Sequence, residues 1–261
     1  MKSKLFIYGL LAILMVSCGP NRTTAAPKEI TVFAAASLSD AFSELATAFE
    51  AQNTGVEVIL NFAGSSQLAA QLREGVPADV FASANATQMQ AVVDAGQIAA
   101  GSEALFVSNR LTIIVPADNP AGITALEDLA QPGVQMILAV EGVPVRQYTD
   151  EIVAGLPADF QTQFYGNLVS EEDNVRQVAA KIALGEADAG TIYTSDVTPD
   201  IASQVLQISI PNAQNVVATY PIAPLVDALS PTLAQSFINF VLSEEGQAIL
   251  ARWGFGPPPV N

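Results

Sequence analysis

The step from strand to helix around Ser37 constrains the fold more than any other stretch of this sequence. Residues 31–36 form a short apolar run with the length of a buried strand, and from Phe42 onward apolar residues recur at helical spacing. Ser37 therefore lies where a strand becomes a helix. Ser37 and Asp40 fit the Ser-x-x-Asp capping box, in which both side chains satisfy amides of the first helical turn. The alternative is an anion site, because helix N-terminal amides at the carboxyl end of a strand suit an oxyanion.

The order of strand, turn and helix recurs along the chain and predicts an α/β fold. A strand over residues 56–62 is followed by a Gly-Ser-Ser turn, which contains Ser65, and by a second helix. A third strand lies within residues 77–84 and also precedes a helix. Alternation of this kind is typical of a mostly parallel sheet flanked by helices.

A second unit between residues 109 and 215 repeats this layout. Helices are predicted to begin near Pro144 and Val175, and strands are predicted over residues 110–115, 135–140 and 187–193. Proline suits the first turn of a helix because its missing N–H would have no intrahelical partner there. The second unit therefore gathers two helix starts and Tyr193 at strand ends.

The chain is predicted to form two lobes joined by two crossovers. A strand from about residue 216 leads into helical segments, and the natural arrangement returns this tail to the first unit. Lobe 1 then consists of residues 30–108 and 217–261, and lobe 2 consists of residues 109–216. Since half of all residues are apolar, the chain is long enough to give both lobes a proper core.

The N-terminal segment is typical of an export signal followed by a tether. Residues 1–17 place two lysines before an apolar stretch that is short for a membrane span. Cys18 is the only cysteine, so it has no intrachain disulfide partner, and its position resembles the lipidated cysteine of bacterial lipoproteins. The alternative is a plain signal peptide that is cut near residues 25–26. Residues 18–29 are predicted to form a tether. We expect an extracytoplasmic protein, in the periplasm or at the cell surface, that contacts the membrane only through a lipid anchor.

Charge and composition exclude several classes of partner and chemistry. The formal net charge of −16 argues against nucleic acid or an anionic membrane as a partner, and it requires any anion site to be local. The chain has no histidine, which excludes Ser-His-Asp catalysis and histidine metal sites. Acid/base catalysis by a pair of carboxylates remains open in principle, but such acids are far more often solvated or capping. The candidates for such a pair are Asp79, Glu141, Glu186 and Asp196.

Six segments in this order resemble the molybdate-binding protein of the bacterial molybdate ABC transporter. They are residues 31–38, 62–68, 77–84, 143–148, 174–178 and 185–196, and the resemblance covers nearly the whole chain after the export signal. It implies a type II periplasmic-binding-protein fold, whose two lobes close on one tetrahedral oxyanion held by neutral donors.

The resemblance also implies a site, residue by residue. Ser37 and Ser65 would each give a hydroxyl and a backbone N–H from lobe 1. Val145 and Val175 would give backbone N–H groups at helix starts in lobe 2, and Tyr193 would give its phenol hydroxyl. Helix N-termini supply several donors without placing a full cation beside a buried dianion.

One position departs from the family, because Arg146 stands where the family usually has glycine. Val145 acts through its backbone and keeps its donor, but an arginine beside it could also contact or steer the anion. Receptors for amino acids pair an arginine with an acid in the cleft, and Arg146 and Arg176 are the candidates near the proposed helix starts. If both side chains point away from the cleft, an amino-acid ligand is disfavoured.

The leading hypothesis is a monomeric receptor that captures molybdate or tungstate and hands it to an ABC transporter permease in the membrane. It implies no cofactor and no catalysis. A second hypothesis keeps the fold and changes the ligand to sulfate, phosphate or a small organic acid. A third is an enzyme built on the same two-lobed fold.

Overall fold

Nine strands and eight α-helices alternate along residues 28–259, the part of the chain that this computed structural model describes. The strands are β1 (Lys28–Ala35), β2 (Val56–Ala63), β3 (Val80–Ala82), β4 (Ala104–Pro116), β5 (Met136–Ala139), β6 (Leu168–Glu172), β7 (Ala189–Tyr193), β8 (Val205–Ser209) and β9 (Val217–Pro224). The helices are α1 (Ser39–Gln52), α2 (Ser65–Arg73), α3 (Ala86–Asp94), α4 (Pro144–Ala154), α5 (Ala158–Gly166), α6 (Val175–Ala183), α7 (Pro231–Leu242) and α8 (Glu244–Arg252). Short 3₁₀ turns cover Ala36–Leu38, Leu126–Ala130 and Thr194–Asp196.

The predicted export signal, residues 1–17, and Cys18 lie outside the described residues. Along residues 28–259, no helix combines the length and the apolarity that a membrane span requires.

The strands form two sheets that share β4. The first sheet has the order β2-β1-β3-β9-β4, in which β1 is parallel to β2 and β3 and β9 is antiparallel to its neighbours. In the second sheet β5 lies between β6 and β7 and is parallel to both, while β4 is antiparallel to β7 and β8. Parallel cores bordered by antiparallel strands confirm the predicted mixed α/β fold. We call the first sheet with α1, α2, α3, α7 and α8 the first lobe, and the second sheet with α4, α5 and α6 the second lobe.

Strand β4 runs from one sheet into the other. Its first part pairs with β9, and the last of these pairs joins Arg110 to Val217, the first residue of β9. The next residue, Leu111, pairs with Tyr193 of β7 in the second sheet. The chain therefore passes between the lobes at two neighbouring points.

An aromatic cluster fills the core of the first lobe and brings the C-terminal helices back to it. Phe42 and Phe49 lie on α1, and Phe237 on α7 packs edge-on against both rings, at centroid distances of 6.1 and 5.3 Å. All three side chains are buried. Burying one such ring contributes about 1.5–3 kcal/mol, which favours the docked position of α7. Helices α7 and α8 therefore pack against α1 of the first lobe.

Helix α6 packs closely on the second sheet because β7 has glycine at position 190. A Cβ on Gly190 would lie 2.8 Å from Cγ1 of Val178 and 2.9 Å from the carbonyl oxygen of Ile137. A larger residue would push the helix outward. The close packing fixes the N-terminus of α6 near the end of β7, where Tyr193 lies.

Several bounds differ from those that the sequence predicted. Strand β1 begins at Lys28, so Lys28 and Glu29, which we assigned to the tether, pair with β2. Strand β9 continues through Pro221, whose missing N–H is tolerated beside a bulge between Leu105 and Val107 of β4. Helix α5 and strand β8 were not predicted, because both are largely exposed and lack a clear apolar period.

Candidate functional site

Strand ends and helix N-termini from both lobes meet around one small cavity. The residues that line it are Ala35, Ala36, Ser37, Gly64, Ser65, Ala84, Val143, Pro144, Val145, Asn174, Val175 and Tyr193. All five residues that we predicted to bind the ligand are in this set. Within residues 28–259, none of the residues that line the cavity has a charged side chain.

Ser37 lies in the 3₁₀ turn that joins β1 to α1, and it is only 2% exposed. Its hydroxyl oxygen lies 3.2 Å from the hydroxyl oxygen of Tyr220. The predicted capping box is wrong, because the N-cap position of α1 is Leu38 and no side chain of residues 28–259 caps it. Asp40 instead pairs with Arg176 across the lobes. The 3₁₀ turn leaves the Ser37 hydroxyl free of capping, and Ser37 lines the cavity.

Ser65 is the first residue of α2 and is fully buried. Its hydroxyl oxygen accepts a hydrogen bond of 3.0 Å from the backbone N–H of Ala84, at the end of β3. Accepting this bond leaves the hydroxyl hydrogen free to be donated to a ligand. Ser65 can therefore offer both its hydroxyl and its first-turn amide.

Helix α4 begins at the cavity, where Val145 is one of the lining residues. Pro144 occupies the first helical position and has no N–H, and the amide of Gln147 already bonds to the carbonyl of Val143 at 3.0 Å. The first-turn amides between them have no intrahelical acceptor. Val145 is buried at the cavity wall, as the family resemblance implies.

At the N-terminus of α6, the cap residue bonds two of the first-turn amides and not that of Val175. The side-chain oxygen of Asn174, the N-cap residue, accepts from the amides of Arg176 at 3.0 Å and Gln177 at 3.2 Å. Two of the first-turn donors are thus satisfied by the cap. The amide of Val175 is not bonded to the cap, and it lies at the positive end of the helix dipole, which suits an anion.

Tyr193 ends β7 and is 1% exposed. Its ring packs edge-on against Tyr148 and Tyr220, with centroids 6.4 and 5.7 Å away. Among the described residues, its hydroxyl has no hydrogen-bond partner. Burial raises the pKa of the Tyr193 phenol well above its usual value, so the hydroxyl keeps its proton and acts as a donor. A buried, protonated and unpaired hydroxyl at a cavity wall fits an anionic ligand.

The donor set suits a small anion without protons. It combines hydroxyls with backbone amides at helix N-termini, and hydrogen bonds to an ionised acceptor are the stronger class. Because these donors are neutral, an anion can be bound without a cationic side chain among the described residues that line the cavity. Within residues 28–259, no group of three or more His, Cys, Asp or Glu residues is placed to hold a metal ion.

Arg146 points away from the cavity, so the idea that it contacts the anion is wrong. Its side chain is buried, with Nε 2.8 Å from Asp150 and Nη1 2.5 Å from Glu171. The guanidinium also lies over the ring of Tyr165, 5.5 Å from the centroid. The arginine that replaces the family glycine therefore stabilises the outer side of α4.

The side chain of Arg176 also points away from the cavity, and its guanidinium pairs with Asp40 and Asp196. The two arginines near the helix starts thus leave the site neutral, which disfavours an amino-acid ligand. The four acids considered for catalysis do not come together there either, since none lines the cavity. Asp79 has a structural role, because its carboxylate accepts the amides of Thr31 at 2.7 Å and Ser230 at 2.8 Å.

Two residues of the site region were not predicted from the sequence. Gly64 belongs to the first lobe, yet a Cβ on it would lie 2.6 Å from the carbonyl oxygen of Asp173 in the second lobe. Tyr220, on β9, contacts both Ser37 and Tyr193. Neither role shows in a local pattern, because both depend on contacts between distant parts of the chain.

The chain is similar in sequence to known binding proteins. Residues 30–256 match the family described as bacterial extracellular solute-binding protein. The molybdate-binding protein ModA of Mycobacterium tuberculosis is 38% identical over 259 residues, which cover 97% of this chain and 96% of that protein.

Solved structures share the fold. The periplasmic molybdate-binding protein of Azotobacter vinelandii has a TM-score of 0.75 at 20% identity, with coverage of 88% of this chain and 100% of that chain. The sulfate-binding protein SubI of Mycobacterium tuberculosis has a TM-score of 0.80 at 22% identity, with coverage of 88% and 87%. At these identities the likeness shows the two-lobed fold alone. The sequence match shows more: this chain belongs to the family of bacterial extracellular solute-binding proteins and is a binding protein rather than an enzyme.

Proposed function

We propose that this chain is the extracytoplasmic receptor of a molybdate ABC transporter, which captures molybdate between its lobes and delivers it to the membrane permease. The observation that carries the proposal is the convergence of five neutral donor residues on one buried cavity. They are Ser37, Ser65, Val145, Val175 and Tyr193. The 38% identity to a molybdate-binding protein over nearly the whole chain supports the same ligand.

A site made only of neutral donors should prefer molybdate to phosphate, because the two ions differ in protonation near neutral pH. Phosphate near neutral pH is partly protonated and needs an acceptor for its own hydrogen, and no carboxylate lines the cavity in the described part of the chain. A buried donor left unpaired costs roughly 1–3 kcal/mol. The hydroxyl oxygens of Ser37 and Tyr193 relieve part of this cost if they accept, so we expect phosphate to bind weakly.

Size separates molybdate from sulfate, because the two ions have the same charge and shape. Donors placed for the larger molybdate ion leave the hydrogen bonds of sulfate long and weak. Tungstate nearly matches molybdate in size. We therefore propose that tungstate binds about as well as molybdate and that sulfate binds more weakly.

The two-lobed layout supports ligand capture by closure. We place lobe 1 at residues 28–110 and 217–261 and lobe 2 at residues 111–216, because β1 begins at Lys28 and Arg110 still pairs with Val217 in the first sheet. The hinges then lie at the two points where the chain passes between the sheets. The site takes donors from both lobes, so all of them reach one anion only when the lobes are together. The receptor acts as a monomer.

Cell location follows from the N-terminal pattern together with the family. We propose that residues 1–17 direct export and that Cys18 becomes the lipidated first residue of the mature protein, followed by a short tether. Lipid attachment keeps the receptor beside its permease, and stable anchoring requires more than one acyl chain.

The test is calorimetry with molybdate, tungstate, sulfate and phosphate. It uses the purified protein without residues 1–17 and with Cys18 replaced by serine. We expect one molybdate or tungstate ion bound per chain, and sulfate and phosphate to bind about ten- to a hundredfold more weakly. Sulfate that displaces molybdate at equal concentration would assign the site to a sulfate receptor of the same fold.

Neighbouring serines offer a matched pair of variants for this experiment. Ser65 lines the cavity, whereas Ser66 does not and is partly exposed. We expect Ser65→Ala to weaken molybdate binding about ten- to a hundredfold, because a hydrogen bond to a charged acceptor is lost. Ser66→Ala should bind as the unchanged protein does. Equal binding by both variants would contradict the proposed donor set.

A further inference from the structure

The guanidinium of Arg176 lies between the lobes, behind the cavity wall. Its Nε lies 2.7 Å from Oδ1 of Asp196, and its Nη1 lies 2.7 Å from Oδ2 of Asp40. Its Nη2 donates a hydrogen bond of 3.4 Å to the carbonyl oxygen of Ser37. Arg176 and Asp196 belong to the second lobe, while Asp40 and Ser37 belong to the first.

This one cation links residues that supply donors from both lobes. Arg176 follows Val175 in the chain, and it donates a hydrogen bond to the carbonyl of Ser37. Val175 and Ser37 both line the cavity. Its partner Asp196 accepts a hydrogen bond of 3.3 Å from the backbone N–H of Tyr193. The position of Arg176 is therefore coupled to the geometry of the site, although its own side chain does not line the cavity.

The two carboxylates beside Arg176 differ in burial. Asp196 is fully buried, so its charge needs a partner within the second lobe whether or not the first lobe is near. The side chain of Asp40 is 35% exposed and lies on α1 of the other lobe. Among the ion pairs of residues 28–259, only the pair of Arg176 with Asp40 joins the two lobes.

We propose that the pair of Arg176 with Asp40 is a closure latch, which forms when the lobes close on the oxyanion and slows its release. The proposal rests on the proposed function, since it requires a ligand that binds between closing lobes. Asp196 holds the guanidinium in place on the second lobe, and closure brings Asp40 to it. Arg176 is thus a positioning residue and not a ligand donor.

The proposal predicts a change in one rate constant. Asp40→Asn removes the ion pair between the lobes, and it leaves the pair of Arg176 with Asp196 and the hydrogen bond from Arg176 to the Ser37 carbonyl intact. We expect the dissociation rate of molybdate to rise about three- to tenfold and the association rate to change less than about twofold, because contacts formed after encounter act on release. Asp40→Glu keeps the charge and should restore most of the slow release.

A control lies one turn further along the same helix. Glu44 pairs with Arg252, and both belong to the first lobe, so Glu44→Gln removes an ion pair of α1 that does not join the two lobes. Release is measured by binding radiolabelled molybdate, adding an excess of unlabelled molybdate and collecting the protein on filters. Unchanged release from Asp40→Asn, or equally faster release from Glu44→Gln, would overturn the latch.

The outcomes separate the latch from the proposed function. If the unchanged protein retains no labelled molybdate, the proposed ligand is wrong and the latch falls with it. If the unchanged protein binds and Asp40→Asn releases at the same rate, only the latch is wrong. Arg176→Gln is a poorer variant, since it leaves the buried Asp196 carboxylate without its partner and endangers folding.

Discussion

Replacing Tyr193 with phenylalanine should weaken ligand binding without weakening the fold. The change removes one hydroxyl that is buried at the cavity wall and has no hydrogen-bond partner among the described residues. It keeps the ring and its edge-on contacts with Tyr148 and Tyr220. The two effects of the hydroxyl, on binding and on stability, can therefore be measured separately.

The expected magnitudes follow from what the hydroxyl does in each state. Losing a hydrogen bond to a charged acceptor costs about 1.5–3 kcal/mol, which is roughly a ten- to hundredfold loss of molybdate affinity. In the ligand-free protein the change breaks no hydrogen bond among residues 28–259, and it removes one buried polar group. The free energy of unfolding should stay within about 0.5 kcal/mol of its original value or increase.

Tyr148→Phe is the matched control, because it makes the same chemical change in the neighbouring ring. The hydroxyl of Tyr148 accepts a hydrogen bond of 3.3 Å from the amide of Thr219, and Tyr148 does not line the cavity. This variant should lose about 1 kcal/mol of stability and keep its molybdate affinity within about threefold. The pattern is the reverse of that expected for Tyr193→Phe.

Urea unfolding of the ligand-free proteins and calorimetry with molybdate give the two quantities for each variant. Loss of stability without loss of affinity in Tyr193→Phe would show that this hydroxyl has a structural role. Equal loss of affinity in both variants would show that the tyrosine cluster acts as a whole, and the specific donor role would be refuted.

Three further predictions address closure, pH and anchoring. Gly64→Ala places a Cβ 2.6 Å from the carbonyl oxygen of Asp173 in the other lobe, so molybdate affinity should fall at least about tenfold while the ligand-free protein keeps its stability; unchanged calorimetry would contradict this. Burial raises the pKa of Asp196 to about 6, so the stability from its bound proton is fully present below about pH 4 and is lost as pH rises through about 6. Relative to Asp196→Asn, the unchanged protein should thus lose about 2–3 kcal/mol of unfolding free energy between pH 4 and pH 7, and parallel profiles in urea would refute the buried charge. Cys18→Ser should move the protein from the membrane to the soluble fraction, and an unaltered distribution would argue against lipidation.

Local patterns in the sequence predicted most of the strands and helices. Pro144 at the start of α4 and the apolar spacing after Val175 were readable because helix starts have short-range signals. The family resemblance then selected which residues at these starts face the ligand. The structure brings all five to one cavity, while their contacts with the ion remain a prediction.

Contacts between distant segments could not be predicted in the same way. The Ser37–Asp40 capping box has a valid local rationale. In the structure, however, Ser37 lies in a 3₁₀ turn and Asp40 forms an ion pair with Arg176. The ion pair with Arg176, which is far along the chain, competes with the local cap for the Asp40 carboxylate. Which of the two forms depends on how the lobes pack, and a local sequence pattern does not contain that information. Gly64 was missed for the same reason, since its tight contact with Asp173 lies across the lobes.

The most direct test of the central claim is a crystal structure of the protein with molybdate, measured at the molybdenum absorption edge. We predict one strong anomalous peak per chain, within hydrogen-bonding geometry of the hydroxyls of Ser37, Ser65 and Tyr193 and the amides of Val145 and Val175. A peak at another place on the protein, or no peak between the lobes at saturating molybdate, would contradict the account.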